Sequence, residues 1–434
     1  MKLGVISLGC DKATVDSERL VGELVGHGAV VTPELPAADV ILINTCGFID
    51  AAKQESIDAI LRAAKLKEEG VKAVVAVGCL VQRYKTELQK EIPEVDLFLG
   101  FSELHHLVPE LAQRGLIEDP VASHPGVRQF LGEQSHVRYL KISEGCDHTC
   151  AFCAIPLMRG KHRSEPVTRL VREAQQLEAQ GAREINLVAQ DLGHWGRDLG
   201  VGGPKLPDLL EALLRETRVP WYRLLYVYSA GINQRLVDLM ARESRIVPYI
   251  DMPIQHATDR MLERMRRPER VHTLREKLAW LRGAIPDLAI RTTCLVGFPG
   301  ETDEDFRALL AFLEEAQFDR MGAFAYSPQE GTRAFNYEND VEEGVKRDRL
   351  EEIVEVQRAI SAERLGRFVG RDVDVLVDRL EEEDGVKSGR VQWQADDVDG
   401  VTYLERGGWA QPGDFVRARI IASEDYDFQA AALT

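Results

Sequence analysis

At 434 residues the chain exceeds one ordinary domain, and two to three are expected. An apolar share of 44% and a charged share of 29% fit a globular protein with sizeable cores, and no run of about 18 apolar residues offers a membrane span. The formal charge of −17 speaks against a broad phosphate-gripping face and leans toward a cationic partner.

The opening "MKLGVISLGCDK" lacks the long apolar run and small-residue cleavage site of a secretion signal. Seven cysteines is an odd count. A cytoplasmic protein with reduced thiols, metal-bound where they cluster, is therefore expected, with no membrane partner. Up to about residue 115 the chain alternates short apolar runs ("KLGVISL", "AVVT", "DVILINT", "KAVVAV", "DLFLG") with helical patterns such as "DSERLVGELVGHG" and "SIDAILRAAKLKEEG". That alternation predicts a parallel α/β sheet covered by helices. "DPVASHPGVRQF", 119–130, reads as a linker.

A second alternation follows, with strands predicted in "VRYLKIS", "EINLVAQ", "YRLLYVYS", "YIDMPI", "IRTTCLVG" and "MGAFAYS". Six strand–helix units suggest an open, partial (β/α)6 barrel rather than the closed eight. A helical stretch from about 343 to 368 leads into "DVDVLVDRL", "GRVQWQA", "GVTYLE" and "DFVRARIIA", strands of a small antiparallel β-barrel. The expected domains are 1–118, 132–365 and 366–434.

Within "SEGCDHTCAFCAIPLMRG" three cysteines, Cys146, Cys150 and Cys153, occupy eight positions of a polar, loop-like segment. Three readings stand: neighbouring core cysteines, a zinc site completed by His148, or an iron–sulfur cluster held by thiolates. His148 lies between the first two cysteines, poorly placed to close a tetrahedron with all three. Three ligands on a cube of four irons leave one iron open for a reactant. Cys10, Cys46 and Cys79 each follow an apolar strand and stand beside Gly9, Gly47 and Gly78. Strand C-termini of a parallel sheet share one edge, so these three thiols either converge there or are small buried hydrophobes.

The spacing of Cys146, Cys150 and Cys153 after a first barrel strand resembles the signature of radical S-adenosylmethionine enzymes. Together with the N-terminal trio and the terminal small barrel, similar to a TRAM domain, the whole chain resembles the methylthiotransferases. That resemblance implies two 4Fe-4S clusters, one on each trio, with S-adenosylmethionine on the open iron of the barrel cluster and sulfur delivery at the other. It implies that a deoxyadenosyl radical abstracts hydrogen from an unactivated carbon, which no side-chain base could deprotonate. It also places Phe152 near the adenine. Gln190, after "EINLVAQD", is a candidate polar contact to S-adenosylmethionine, and Gly297 and Gly300 of "CLVGFPGET" would let backbone approach the ligand. Cys294 is read as a core residue of the fifth barrel strand.

Two branches compete: one modifies an adenosine of tRNA, the other an aspartate β-carbon of small-subunit ribosomal protein S-twelve. "KISEGCDHTCAFC", "IPLMRGKHRSEP", "DMPIQHATDRMLERMRR" with His256, and "YSPQEGTRA" resemble the ribosomal-protein branch. From Gly366 to Thr434 eight Lys or Arg face fifteen Asp or Glu, a net of −7. The runs "EEED" (381–384) and "DDVD" (396–399) would repel an RNA backbone and attract a basic ribosomal protein, alone or within the ribosome. tRNA is the weaker partner on this ground, and an electron donor is required. The basic stretch "RGKHR", Arg159 to Arg163, either contacts a carboxylate of the substrate or of S-adenosylmethionine or is a solvent-facing loop. Trp393, near which relatives often carry Tyr or Ser, is expected to tune partner contact.

Overall fold

Apolar, β-branched runs that can be buried on both faces become parallel strands in both halves of the chain. The computed structural model describes residues 1–117, 127–132, 134–380 and 386–433. Most of the expected linker and all of the 381–384 acidic run lie outside the described residues. Contacts gather the chain into two units. One comprises Met1–Glu133, Glu144–Asp147 and Ala154–His162; the other comprises Gln134–Ser143, His148–Cys153 and Arg163–Thr434.

In the first unit β1 (Lys2–Ser7), α1 (Asp11–Gly26), β2 (Val30–Val31), β3 (Val40–Thr45), α2 (Asp50–Lys65), β4 (Ala73–Gly78), α3 (Cys79–Glu91), β5 (Leu97–Leu99) and α4 (Leu107–Gln113) follow one another. The sheet order is β2-β1-β3-β4-β5, and every pair is parallel. β3 and β4 bury every residue. Their side chains alternate between two cores: Leu42 and Val75 join Leu20, Leu24 and Leu111, whereas Ile41, Ile43 and Val74 join Ile60 and Leu88. That two-residue period explains the continuous apolar runs in the sequence. A short helix, α5 (Ile155–Arg159), belongs to this unit.

The second unit is built from β6 (Val137–Lys141), α6 (Val167–Ala179), β7 (Glu184–Val188), α7 (Leu206–Glu216), β8 (Trp221–Leu224), α8 (Gln234–Arg242), β9 (Ile246–Asp251), α9 (Asp259–Arg264), α10 (Val271–Ala284), β10 (Ala289–Val296), α11 (Asp303–Ala316) and β11 (Arg320–Ala325). These six strands pair in strict chain order, all parallel, as an open sheet. β8 stops earlier than its apolar run predicts. Tyr226 takes a left-handed φ of 63°, and its N–H donates to Asp251 instead of to a ladder. α12 (Glu343–Gly366) is tied to the chain entering β11: Gln357 donates to the Phe318 carbonyl and Ser361 to that of Asp319.

The chain ends in a closed barrel of β12 (Asp372–Leu380), β13 (Lys387–Arg390), β14 (Thr402–Glu405), β15 (Phe415–Ser423) and β16 (Phe428–Ala432), in the order β12-β13-β14-β16-β15. Its pairs are antiparallel except β14 with β16. β16, "FQAAA", escapes prediction because alanine has weak β propensity. The predicted strand "GRVQWQA" ends at Arg390, since Val391, Trp393 and Ala395 turn into a core shared with Trp221, Val247 and Tyr249 of the six-stranded sheet. Trp393 stacks on Phe368 at 3.7 Å and is buried, so it cannot tune a partner contact as expected.

Charged groups are buried in the same interface. Glu184 accepts from Arg223 at 2.7 Å and from Arg390 at 2.6 Å, while Arg390 also holds Asp378, whose carboxylate meets His136 at 2.8 Å. The "DDVD" run is likewise not the acidic surface expected. Asp399 accepts from the Tyr249 hydroxyl and the Ala395 N–H, Asp396 faces Arg390, and Asp397 is the exposed carboxylate.

Candidate metal centre

Cys10, Cys46 and Cys79 follow β1, β3 and β4, three adjacent strands, and so share one sheet edge. Gly9 lies against Cys46: a Cβ built there would stand 3.2 Å from the Cys46 Cβ and 3.4 Å from its sulfur. Cys46 is pinned by Ser56, which accepts from its N–H and donates to its carbonyl, both at 2.9 Å. Cys10 is the N-cap of α1 and Cys79 the first residue of α3. Both helices therefore aim the positive end of their dipole at the site, which favours negative charge.

Without metal, Cys46 and Cys79 resist ionisation. Burial pushes Cys79 up to about 11 and raises Cys46, and neighbouring Cys10 adds to both. A coordinated cation removes that penalty by holding each sulfur as thiolate. Among the described residues, the one group of three His, Cys, Asp or Glu side chains whose donor atoms lie within 4.8 Å of one another is His148, Asp191 and His194. The N-terminal trio stands wider than the roughly 3.8 Å sulfur spacing that follows from tetrahedral zinc with Zn–S near 2.3 Å. An all-thiolate donor set, wider than a single ion needs and placed at two helix N-termini, fits an iron–sulfur cube.

The loop 146–153 is divided: Cys146 belongs to the first unit, Cys150 and Cys153 to the second. Cys146 N–H donates to the Gly160 carbonyl at 3.1 Å. In the second unit Ala151 is clamped by backbone bonds to Met265 and Ala334. That clamp seats Phe152, half-buried, edge-on to Phe298 at 6.4 Å in a cluster with Met261, Met265 and Tyr326.

His148 Nε2 meets Asp191 at 2.8 Å, and its ring stacks on Tyr228 at 4.0 Å. Asp191 also accepts from the Tyr228 N–H, so the end of β7 and the segment after β8 hold this loop together. The Tyr228 phenol is raised far above its ordinary value by burial, with Cys150 adding to the shift. Its buried hydroxyl makes no hydrogen bond among the described residues. Arg267 covers its ring at 3.9 Å.

Gln190 lies just beyond β7, half-buried. Gly297 and Gly300 adopt φ of 69° and 83°, but their Cβ directions are already occupied, at 2.4 Å by the Lys346 stem and at 2.9 Å by Arg264. The close approach they permit is by the protein's own side chains. Gly297 N–H donates to both Glu301 oxygens at 3.0 Å, and Glu301 faces buried His256 at 3.4 Å. Cys294 is fully buried in the core, as expected. Arg159 is neither a substrate contact nor a solvent-facing residue. It is buried, with Asp16 at 2.9 Å and Glu144 at 3.0 Å. Sequence reasoning singled out Arg159 but not these partners, and it missed Tyr228, Asp191 and Glu301, whose contacts to Asp191, Tyr228 and His256 are remote in the chain. The strand-end position of Asp191 and Tyr228 was the one available signal.

Family profiles match three stretches: residues 2–100, described as uncharacterized protein family UPF0004; 140–313, the radical SAM superfamily; and 369–433, the TRAM domain. Curated relatives align end to end. The chain is 45% identical to "Ribosomal protein uS12 methylthiotransferase RimO" of Anaeromyxobacter sp. (strain Fw109-5), covering 97% of this chain and 91% of that one. It is 43% identical to the protein of the same name from Geobacter sulfurreducens, covering 98% and 97%. Among solved structures, the radical S-adenosylmethionine methyltransferase TsrM of Kitasatospora setae superposes with a TM-score of 0.56 at 14% identity, covering 74% of this chain and 72% of that one. At that identity it attests the fold alone.

Proposed function

Since the chain belongs to the family of ribosomal protein uS12 methylthiotransferases, we propose that it replaces a hydrogen on the β-carbon of an aspartate of ribosomal protein S-twelve with a methylthio group. The observation that carries this reading is end-to-end identity above 40% with these relatives. Membership of the radical SAM superfamily brings one 4Fe-4S cluster and S-adenosylmethionine. We assign that cluster to Cys146, Cys150 and Cys153 and a second to Cys10, Cys46 and Cys79. Supporting the second are the shared strand edge, the two helix N-termini and the all-thiolate donor set. When bound, these groups supply the electron that opens the sulfonium of S-adenosylmethionine and the sulfur that is transferred.

The chain's own residues position the reactants and keep water out. The Ala151 clamp and the His148–Asp191 bond fix the cysteine loop, with Tyr228 stacked on His148. Phe152 offers the adenine an apolar wall and Gln190 a polar contact. Gly297 and Gly300 shape the turn after β10, whose backbone Glu301 holds. The acidic excess of the last domain supports a basic protein partner over tRNA. No described helix is long and apolar enough to cross a membrane, and a cytoplasmic enzyme served by a separate electron donor completes the reading.

Anaerobically reconstituted enzyme with reductant, sulfide and S-adenosylmethionine should be offered protein S-twelve and, separately, tRNA. Mass spectrometry is expected to find one aspartate of S-twelve heavier by CH2S, together with released 5′-deoxyadenosine. Modification of tRNA alone would overturn the assignment.

A further inference from the structure

The N-terminal thiol trio has a buried cation beside it that no step above uses. Cys79 packs against Ala154 and Met158 of α5, with Phe101 and Ile155 completing the contact. Arg159, the next residue, ends that helix. Its Nη1 bonds Asp16 at 2.9 Å and both Glu144 oxygens at 3.0 Å, and its guanidinium lies over the Phe101 ring at 4.6 Å. The side chain is 2% exposed. Its other nitrogen, Nη2, is buried with no oxygen or nitrogen to receive its protons. Lost hydration is costly for a guanidinium, and two carboxylates already balance it. The orphaned nitrogen is explained if a further acceptor, negative and soft, occupies the trio.

We propose that Arg159 is a positioning residue for the N-terminal centre: anchored by Asp16 and Glu144, it places a fixed positive charge and a free donor against the cluster on Cys10, Cys46 and Cys79, easing that cluster's one-electron reduction. This rests on the two-cluster reading. A cation beside a centre that gains an electron stabilises the reduced state, and hydrogen bonds to sulfur act in the same direction. Asp16 opposes it, since its carboxylate compensates part of the Arg159 charge. The two residues therefore move the potential in opposite senses, which a merely structural pair would not do.

The test uses the full chain with Cys146, Cys150 and Cys153 replaced by Ala, so that only the N-terminal cluster contributes to an EPR-monitored redox titration. Arg159→Met is expected to keep its iron while the reduced fraction at a fixed potential falls tenfold or more, about 59 mV for a one-electron couple. Arg159→Lys should recover most of that loss. Asp16→Asn should shift the midpoint upward, and Lys161→Met, an exposed charge of the same stretch, should leave it unmoved. An unchanged midpoint in Arg159→Met overturns the proposal. Should that variant fail to hold iron, Asp16→Asn and Arg159→Lys decide it: an unmoved or lowered midpoint in Asp16→Asn, or a Lys variant far below the parent, is equally fatal. A parent triple-Ala chain that takes up no cluster removes the two-cluster reading itself, and this inference with it.

Discussion

His256 accepts two backbone N–H bonds at Nδ1, from Ala257 at 2.9 Å and Thr258 at 3.3 Å. The proton of a neutral ring must then reside on Nε2, which faces Glu301 at 3.4 Å. Glu301 in turn receives the Gly297 N–H and Arg349. One side chain thus connects the turn after β9 to the turn after β10. His256→Ala should weaken S-adenosylmethionine binding about 5- to 150-fold, the 1–3 kcal/mol lost when a buried polar group is left without its partner. Equilibrium dialysis reads this, with iron content as the control. Asp396 illustrates the opposite case, a buried group that works against the fold. Burial pushes its carboxyl up to about 6, Arg390 only partly offsetting this. A raised carboxylate contributes stability below its ordinary value of 3.8 and loses it as pH rises through about 6. At neutral pH the loss is up to about 3 kcal/mol, at 1.4 kcal/mol per unit. Asp396→Asn should raise Tm at pH 7.5 and change little near pH 4, as scanning calorimetry would show.

Turns between strand and helix decide where the N-terminal thiols point. Gly78 ends β4 with φ of 101°, and a Cβ there would lie 2.4 Å from Asn44 Oδ1 and 2.6 Å from the Thr45 carbonyl. Neither backbone nor space admits a side chain. Gly78→Ala should therefore strip iron from the N-terminal site. Gly181→Ala, where φ is similar at 99° but nothing lies within 4 Å, should cost only the backbone strain of about 1 kcal/mol and keep full iron. Metal analysis and thermal melts on both variants separate the two effects. These turns were legible because apolar run, glycine and cysteine are contiguous in "VISLGC", "LINTCG" and "VAVGC". The same local grammar revealed the six parallel strands. It failed where a segment answers to distant partners: Arg159 meets Asp16 143 positions away, and Asp399 turns inward to Tyr249, 150 positions earlier. β16 was hidden for a different reason, because alanines hold a ladder there by neighbours rather than by propensity.

At the scale of the molecule, the six-stranded sheet and the terminal barrel fold as one body around buried charge. Glu184, fully buried, is the shared anion of Arg223 and Arg390, and Arg390 carries Asp378 and through it His136. The two arginines hold the Glu184 carboxyl below its ordinary value of 4.5 against the cost of burial. A depressed carboxylate gives stability above that ordinary value and loses it as pH falls below it. Glu184→Gln leaves two guanidinium groups without their common counter-ion, and removing one member of such a buried set costs about 3–5 kcal/mol. The variant should unfold at lower urea, and its stability should no longer decline as steeply in acid. Adding Arg390→Met removes one of the orphaned cations, so the double variant should lose much less than the two single losses combined. Strict additivity in urea titrations would mean that the barrel is held by its apolar core alone, and that these charges merely shelter within it.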